Sequence, residues 1–269
     1  MQQLKAAQWK LADASTRDAL ALALLPCLAD ANPALRDGIA FEGLSAWMRA
    51  KHLSVGTLRQ LYRALLPQLA DAASDNTGFA QPFAALVLSE LARADRLQAF
   101  LSEEERHALV AAASSYLRGV RDYRGFVAGE GWRHGVAHAA DLAMQLALNP
   151  AVNAAQLGQL VAAVQTQIAP SSTHFYIYGE GERLARPIFH AARRGLIEPQ
   201  RWEAFVREIA SAAPWPSWDL ALQSQAGLAR LHNVKAFLLV LSLSVSDSAD
   251  PAVQTALGKL LLEALQQLP

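Results

Sequence analysis

Residues 129–150 read GEGWRHGVAHAADLAMQLALNP and carry the densest group of side chains able to do chemistry. Read as a helix from 132 to 148, His134, His138, Asp141 and Gln145 fall within about 60° of one another. Two imidazoles beside a carboxylate suit a general base oriented by an acid, with Arg183 to stabilise an anionic group. The same three residues, His134, His138 and Asp141, also make a three-ligand metal set on paper. Their spacing matches no HExxH template. None of the seven histidines is followed by glutamate, which excludes the His-Glu ligand dipeptides of helical-repeat di-iron hydroxylases. No metal is therefore expected, and no cofactor is implied. The plainer alternative is a set of hydrogen-bonded contacts between helices.

The elements that position these groups follow from their surroundings. Apart from Arg133, the other residues from 132 to 148 are apolar, small or glycine. A surface helix shows a much wider polar face, so this helix is expected to be packed on most sides with one narrow polar line open. A second line, Arg183, Arg186, His190 and Arg193, recurs at helical spacing, with Pro187 interrupting its regularity. His232, Asn233 and Lys235 fall in the first turn of a third helix, over 231–245. If the three helices lie side by side, a His/Asp line borders a basic line, with Glu130, Glu180 and Glu182 at the shared rim and Trp132 as a wall.

Helix starts recur along the whole chain, and sustained strand alternation is absent. Asn32-Pro33, Ser54, Ser102 with Glu105, Asn153 with Gln156, Pro199, Ser217 and Asp250-Pro251 all read as N-terminal signals. Leu58, Leu61, Tyr62, Leu65 and Leu69 give helical spacing within 55–73. The segment HFYIYG (174–179) is short and ends in glycine, and is read as an extended loop. About a dozen helices with short connections are expected, with no significant sheet. The tripeptide GEG occurs at 129–131 and 179–181, and helix openings near 76 and 231 extend that rhythm of about fifty residues. The expected fold is all-α: a single helical-repeat domain over 1–269, an α-solenoid or helical-hairpin superhelix of HEAT/armadillo type. Residues 1–30 would cap its N-terminal end and 246–269 its C-terminal end.

Hydrophobic residues make up 52% of the chain and charged ones 18%, which excludes disorder. Lys plus Arg number 24 and Asp plus Glu 24, so no global field gathers phosphates and nucleic acid is not an expected partner. The lone cysteine, Cys27, excludes an internal disulfide framework and cysteine-based zinc clusters. The apolar run ALALALLPCLADA (19–31) is preceded by Asp13 and Asp18 and broken by Pro26, which fits a secretory signal poorly. No run reaches the roughly 18 apolar residues of a membrane span. A cytoplasmic protein is expected, with export the alternative.

Five segments together resemble a bacterial family known as domain of unknown function 2785: LRDGIAFEGLSAWM (35–48), FLSEEE (100–105), RDYRGFVAGEGWRHGVAHAADLA (121–143), YGEGERLAR (178–186) and LHNVKAFLLVL (231–241). The resemblance runs from about residue 30 to 245. Its motifs fall on Arg124, Gly125, Gly129, Gly131, Trp132, His134, His138 and Asp141, then on Gly179, Glu180, Arg183, Leu184 and Ala185, then on Asn233, Lys235, Phe237 and Leu238. Gln81 and Pro82 depart from the family pattern in the first helix. The resemblance implies a helical-repeat fold and a shared polar centre, and no function. The functional expectation is a scaffold whose concave groove binds a protein, peptide or small polar ligand through Glu130, Trp132, His134, His138, Asp141, Glu180, Arg183, Asn233 and Lys235. The alternative is an enzyme using the His/Asp site in that groove.

Overall fold

Side-chain caps open several of the helices. Ser54 accepts from the Thr57 N–H, and Ser102–Glu105 and Asn153–Gln156 each close a reciprocal capping box. The computed structural model describes residues 1–70 and 77–269. Residues 71–73 of the helical pattern and Asn76 lie outside the described residues.

Ten helices carry the packing: α1 (Glu42–Arg49), α2 (Val55–Leu65), α3 (Ala80–Leu97), α4 (Glu103–Gly119), α5 (Gly135–Ala147), α6 (Ala154–Ile168), α7 (Glu180–Arg193), α8 (Pro199–Ala210), α9 (Gln225–Ser246) and α10 (Lys259–Gln267). The fold is all-α. Odd-numbered helices pack in chain order, α1 on α3, α3 on α5, α5 on α7 and α7 on α9. Even-numbered helices form a second row, with α4 on α6, α6 on α8 and α8 on α10. The core lies between the rows, where Phe83, Leu88, Leu142, Leu184, Ile188 and Phe237 are fully buried.

The recurrence differs from the expected fifty residues. Helices α5, α7 and α9 begin at Gly135, Glu180 and Gln225, forty-five residues apart. Ser224 caps α9 by accepting from the Gly227 N–H, so that helix starts well before Leu231. Pro187 lies inside α7. Helix α9 is long and apolar enough to cross a membrane by length and mean composition, although Arg230, His232, Asn233 and Lys235 interrupt its apolar residues. Its Val234, Phe237, Leu238 and Leu241 are buried within this fold, while Leu239 and Leu243 are exposed.

Among the described residues the one sheet is a hairpin, β1 (Phe126–Val127) against β2 (Gly131–Trp132). The two GEG tripeptides therefore do different work. Gly129 and Gly131 take positive φ, 84° and 81°, to turn the hairpin. Gly179, at φ 86°, caps α7 directly, and Gly181 lies inside the helix, where an added Cβ would come within 3.3 Å of the Phe237 backbone nitrogen on α9. HFYIYG is an extended loop, as its glycine ending implies.

Candidate functional site

Helix α5 is enclosed by α3 and α7. Ala137, Ala139, Ala140 and Ala143 are buried, and such small side chains let neighbouring helices approach closely. Only a narrow strip is left facing outward: the edges of His138 (7% exposed) and Asp141 (9%), with Met144 and Gln145 half-buried beyond them.

His134 is not on the helix. It takes the left-handed conformation, φ 53° and ψ 37°, and caps α5, which begins at Gly135 rather than at Trp132. Trp132 is held in the hairpin instead. The polar line nevertheless forms, because the turn after β2 returns the His134 ring to 5.9 Å from His138 and 4.3 Å from Trp132. Tyr178 meets Trp132 edge-on at 5.6 Å, and Phe126 packs on its other side at 5.1 Å. Phe126, Trp132 and Tyr178 are all exposed, so the hairpin and the loop before α7 together present an aromatic wall.

His138 Nδ1 lies 3.2 Å from the Pro82 carbonyl oxygen. A carbonyl only accepts, so Nδ1 carries the proton and Nε2 keeps its lone pair. Burial pushes His138 down to about 3, with His134 and Arg183 adding to the effect. Burial and then Arg183 push His134 down to about 4. Both rings are neutral at pH 7.

Asp141 forms an ion pair with Arg183. Burial raises its carboxyl above the ordinary value, and Arg183 opposes that rise. Neither histidine donates to the Asp141 carboxylate, so the expected His–Asp dyad is not formed. For the metal alternative, Asp141 is engaged by Arg183, and no group of metal-holding side chains occurs among the described residues.

A cavity of about 620 Å³ opens over this strip. It gathers Trp132, His134, His138, Asp141 and Arg183 from the expected set, with Gln145 and Arg186 from the two polar lines. The segment just before α1 contributes Asp37 and Phe41, both on a π-helical stretch, Arg36–Phe41, that widens the turn where they project. Arg49 of α1 grips Glu90 of α3, its Nε at 3.1 and 3.0 Å from the two carboxylate oxygens. Sequence reasoning missed Glu90 and Arg49, although a lone acid in the apolar run AALVLSELA was a signal. Asp37 and Tyr178 fall within the segments LRDGIAFEGLSAWM and YGEGERLAR, where nothing local marks them as groove residues.

Four expected residues do not line this cavity. Glu130 accepts from Arg133 Nη1 at 2.5 Å and closes the hairpin turn. Glu180 is buried and accepts from the Tyr178 N–H at the start of α7. Asn233 is also buried; it accepts from the Tyr176 N–H at 2.8 Å and donates to the His174 carbonyl at 3.0 Å, pinning the loop that ends in Tyr178. Lys235 donates to the Pro269 carbonyl. Each supports the framework around the aromatic wall and the last helices.

Gly125 gives a direct test of that wall. A Cβ there would fall 2.1 Å from Tyr178 Cδ2. Gly125→Ala is expected to cost about 1–3 kcal/mol and to drive the Tyr178 ring off Trp132. Ring resonances of Tyr178 and Trp132 that match those of the parent protein would contradict this packing.

Over residues 66–243 the sequence matches the model of a family described as "Protein of unknown function (DUF2785)". No curated protein and no solved structure matches the chain.

Proposed function

The chain belongs to the DUF2785 family, and we propose that it is a helical-repeat binding protein, its two rows of helices forming a helical-hairpin superhelix of HEAT/armadillo type. The odd-numbered row presents a groove that holds a peptide, a protein segment or a small polar ligand. One observation carries this reading: residues far apart in the sequence, from Asp37 to Arg186, line a single cavity with an aromatic wall at one side. Arg49–Glu90, Arg183–Asp141 and Arg186–Glu182 are paired ions at or beside that cavity. Such alternating charges match a ligand that carries both signs. A catalytic reading has less support, since Asp141 orients Arg183 rather than a histidine.

The test is a thermal-shift and calorimetric screen of amino acids, short peptides and polar metabolites against the parent protein, Trp132→Ala and His138→Ala. A genuine groove ligand is expected to lose about tenfold or more in affinity on Trp132→Ala, as buried aromatic anchors do. Ligands that bind all three proteins equally would sink the proposal.

A further inference from the structure

Gln145 and Arg186 line the cavity, and Arg96 and His190 adjoin them from just outside its lining. Arg96 lies in the last turn of α3, half-buried, and its Nη2 donates to Gln145 Oε1 at 3.3 Å. It has no carboxylate partner among the described residues, and its Nε is buried with no hydrogen-bond partner. Arg186, ion-paired with Glu182 on its own helix, and His190 stand one turn apart on α7; the His190 Nδ1 is likewise buried and unpartnered.

Among the arginines whose pKa burial pushes down, Arg96 differs from the others in its partners. Arg36 bonds the carbonyls of Asp30, Ala31 and Glu130 and pairs with Asp37 at 2.8 Å. Arg194 bonds four carbonyls at the end of α5, and Arg230 bonds four around the ends of α6 and α8. Those positive charges rest on backbone carbonyls, two of them at helix C-termini, where the dipole favours a cation. Arg96 has one neutral amide and the end of its own helix. A half-buried guanidinium whose Nε has no acceptor is left under-paired, and a bound anion would supply the missing acceptor.

We propose that Arg96, with Gln145, Arg186 and His190, forms an oxyanion subsite of the groove and takes a carboxylate or phosphate group of the bound ligand. This rests on the reading of the groove as a ligand site. Burial pushes His190 down to about 4, with Arg193, Arg96 and Arg186 adding to the effect, so the ring is neutral and close to all three arginines. A neutral imidazole offers an N–H to an oxyanion without adding charge. Gln145 lies two helical turns beyond His138, a rise of roughly 10 Å along α5, with the aromatic wall beyond the opposite end of that helix. A ligand longer than that would span both.

The experiment is thermal unfolding of the full chain in sodium phosphate, sodium acetate and sodium chloride at matched ionic strength. Phosphate or acetate, at about ten times its dissociation constant, is expected to raise Tm by roughly 3 °C over chloride. A response to phosphate alone, to acetate alone or to both identifies which oxyanion the subsite prefers. Arg96→Gln is expected to abolish the shift. If that variant does not fold, Arg96→Lys, which keeps the charge and loses the planar fork, is expected to weaken the response severalfold. Equal melting in all three salts, or an undiminished shift in the Arg96 variant, overturns the subsite. Trp132→Ala separates the two readings: it keeps the full oxyanion response even if the screen finds no groove ligand. A groove ligand that binds without any oxyanion response leaves the groove and removes the subsite.

Discussion

Asp95→Ala will cost the fold about 3–5 kcal/mol, the range expected when a buried ion pair loses one partner. The Asp95 side chain is 1% exposed. Its Oδ1 accepts from the Phe100 and Leu101 N–H groups, both at 2.9 Å, and its Oδ2 from Arg106 Nε at 3.0 Å and Asn149 Nδ2 at 3.1 Å. One carboxylate thus ties the end of α3, the connection to α4, the first turn of α4 and the end of α5. Alanine would leave a buried guanidinium, two backbone N–H groups and an amide without their acceptor. Urea unfolding should show a lower midpoint with an unchanged m-value. Asp95→Asn retains shape and an acceptor for the N–H groups, and should lose less. A loss below about 1 kcal/mol in the alanine variant would mean that water satisfies these donors and that the junction is not a rigid element.

Acid will destabilise the chain through His138. In the unfolded chain this histidine titrates near its ordinary 6.5; in the fold it is pushed down to about 3. The groups facing it are His134 before α5, Arg183 on α7, Arg36 from the N-terminal side and the Pro82 carbonyl on α3; only the carbonyl favours the charged ring. Because the folded value is the lower one, the unfolded state takes up the proton first as pH falls. The stability held by neutral His138 is whole above about pH 6.5 and is lost on the way down to about 3. The loss from this group is about 2 kcal/mol by pH 5 and about 3 kcal/mol by pH 4. Asp141 acts with the opposite sign, since its folded value is raised above 3.8: its contribution is present in acid and fades as pH rises through the folded value. In His138→Gln, the slope of unfolding free energy against pH between 6 and 4 should fall by about one proton. An unchanged slope would place the proton uptake elsewhere, with His134 and His190 next in line, since both are also pushed down to about 4.

The chemistry at these positions was legible in the sequence to the extent that it depends on short-range order. A helix with a single polar line needs only the 3.6-residue period, so His138, Asp141 and Gln145 on α5, and Arg183, Arg186 and His190 on α7, could be placed on faces before any coordinates. Capping residues are equally local, and Ser54, Ser102 and Asn153 do what their side chains imply. The all-α class follows from the same signals.

Local signals failed where backbone geometry is chosen by distant contacts. The tripeptide GEG at 129 and at 179 is one string with two structures. The first turns a hairpin whose end is held by Arg36 donating to the Glu130 carbonyl at 2.8 Å, a partner 94 residues away. The second starts a helix whose Gly181 must lie against α9. Asn233 reads as a groove residue by motif, yet its amide is spent on the loop at His174 and Tyr176. Asp141 stands three residues beyond His138 on the same helix face, yet it pairs with Arg183, a partner that depended on α7 packing against α5. Sequence alone therefore determined which side chains each helix presents, because periodicity and capping act within a few residues. Only the tertiary structure decided which of those side chains meet, because ion pairs, aromatic contacts and burial are set between helices that the chain brings together from dozens of residues apart.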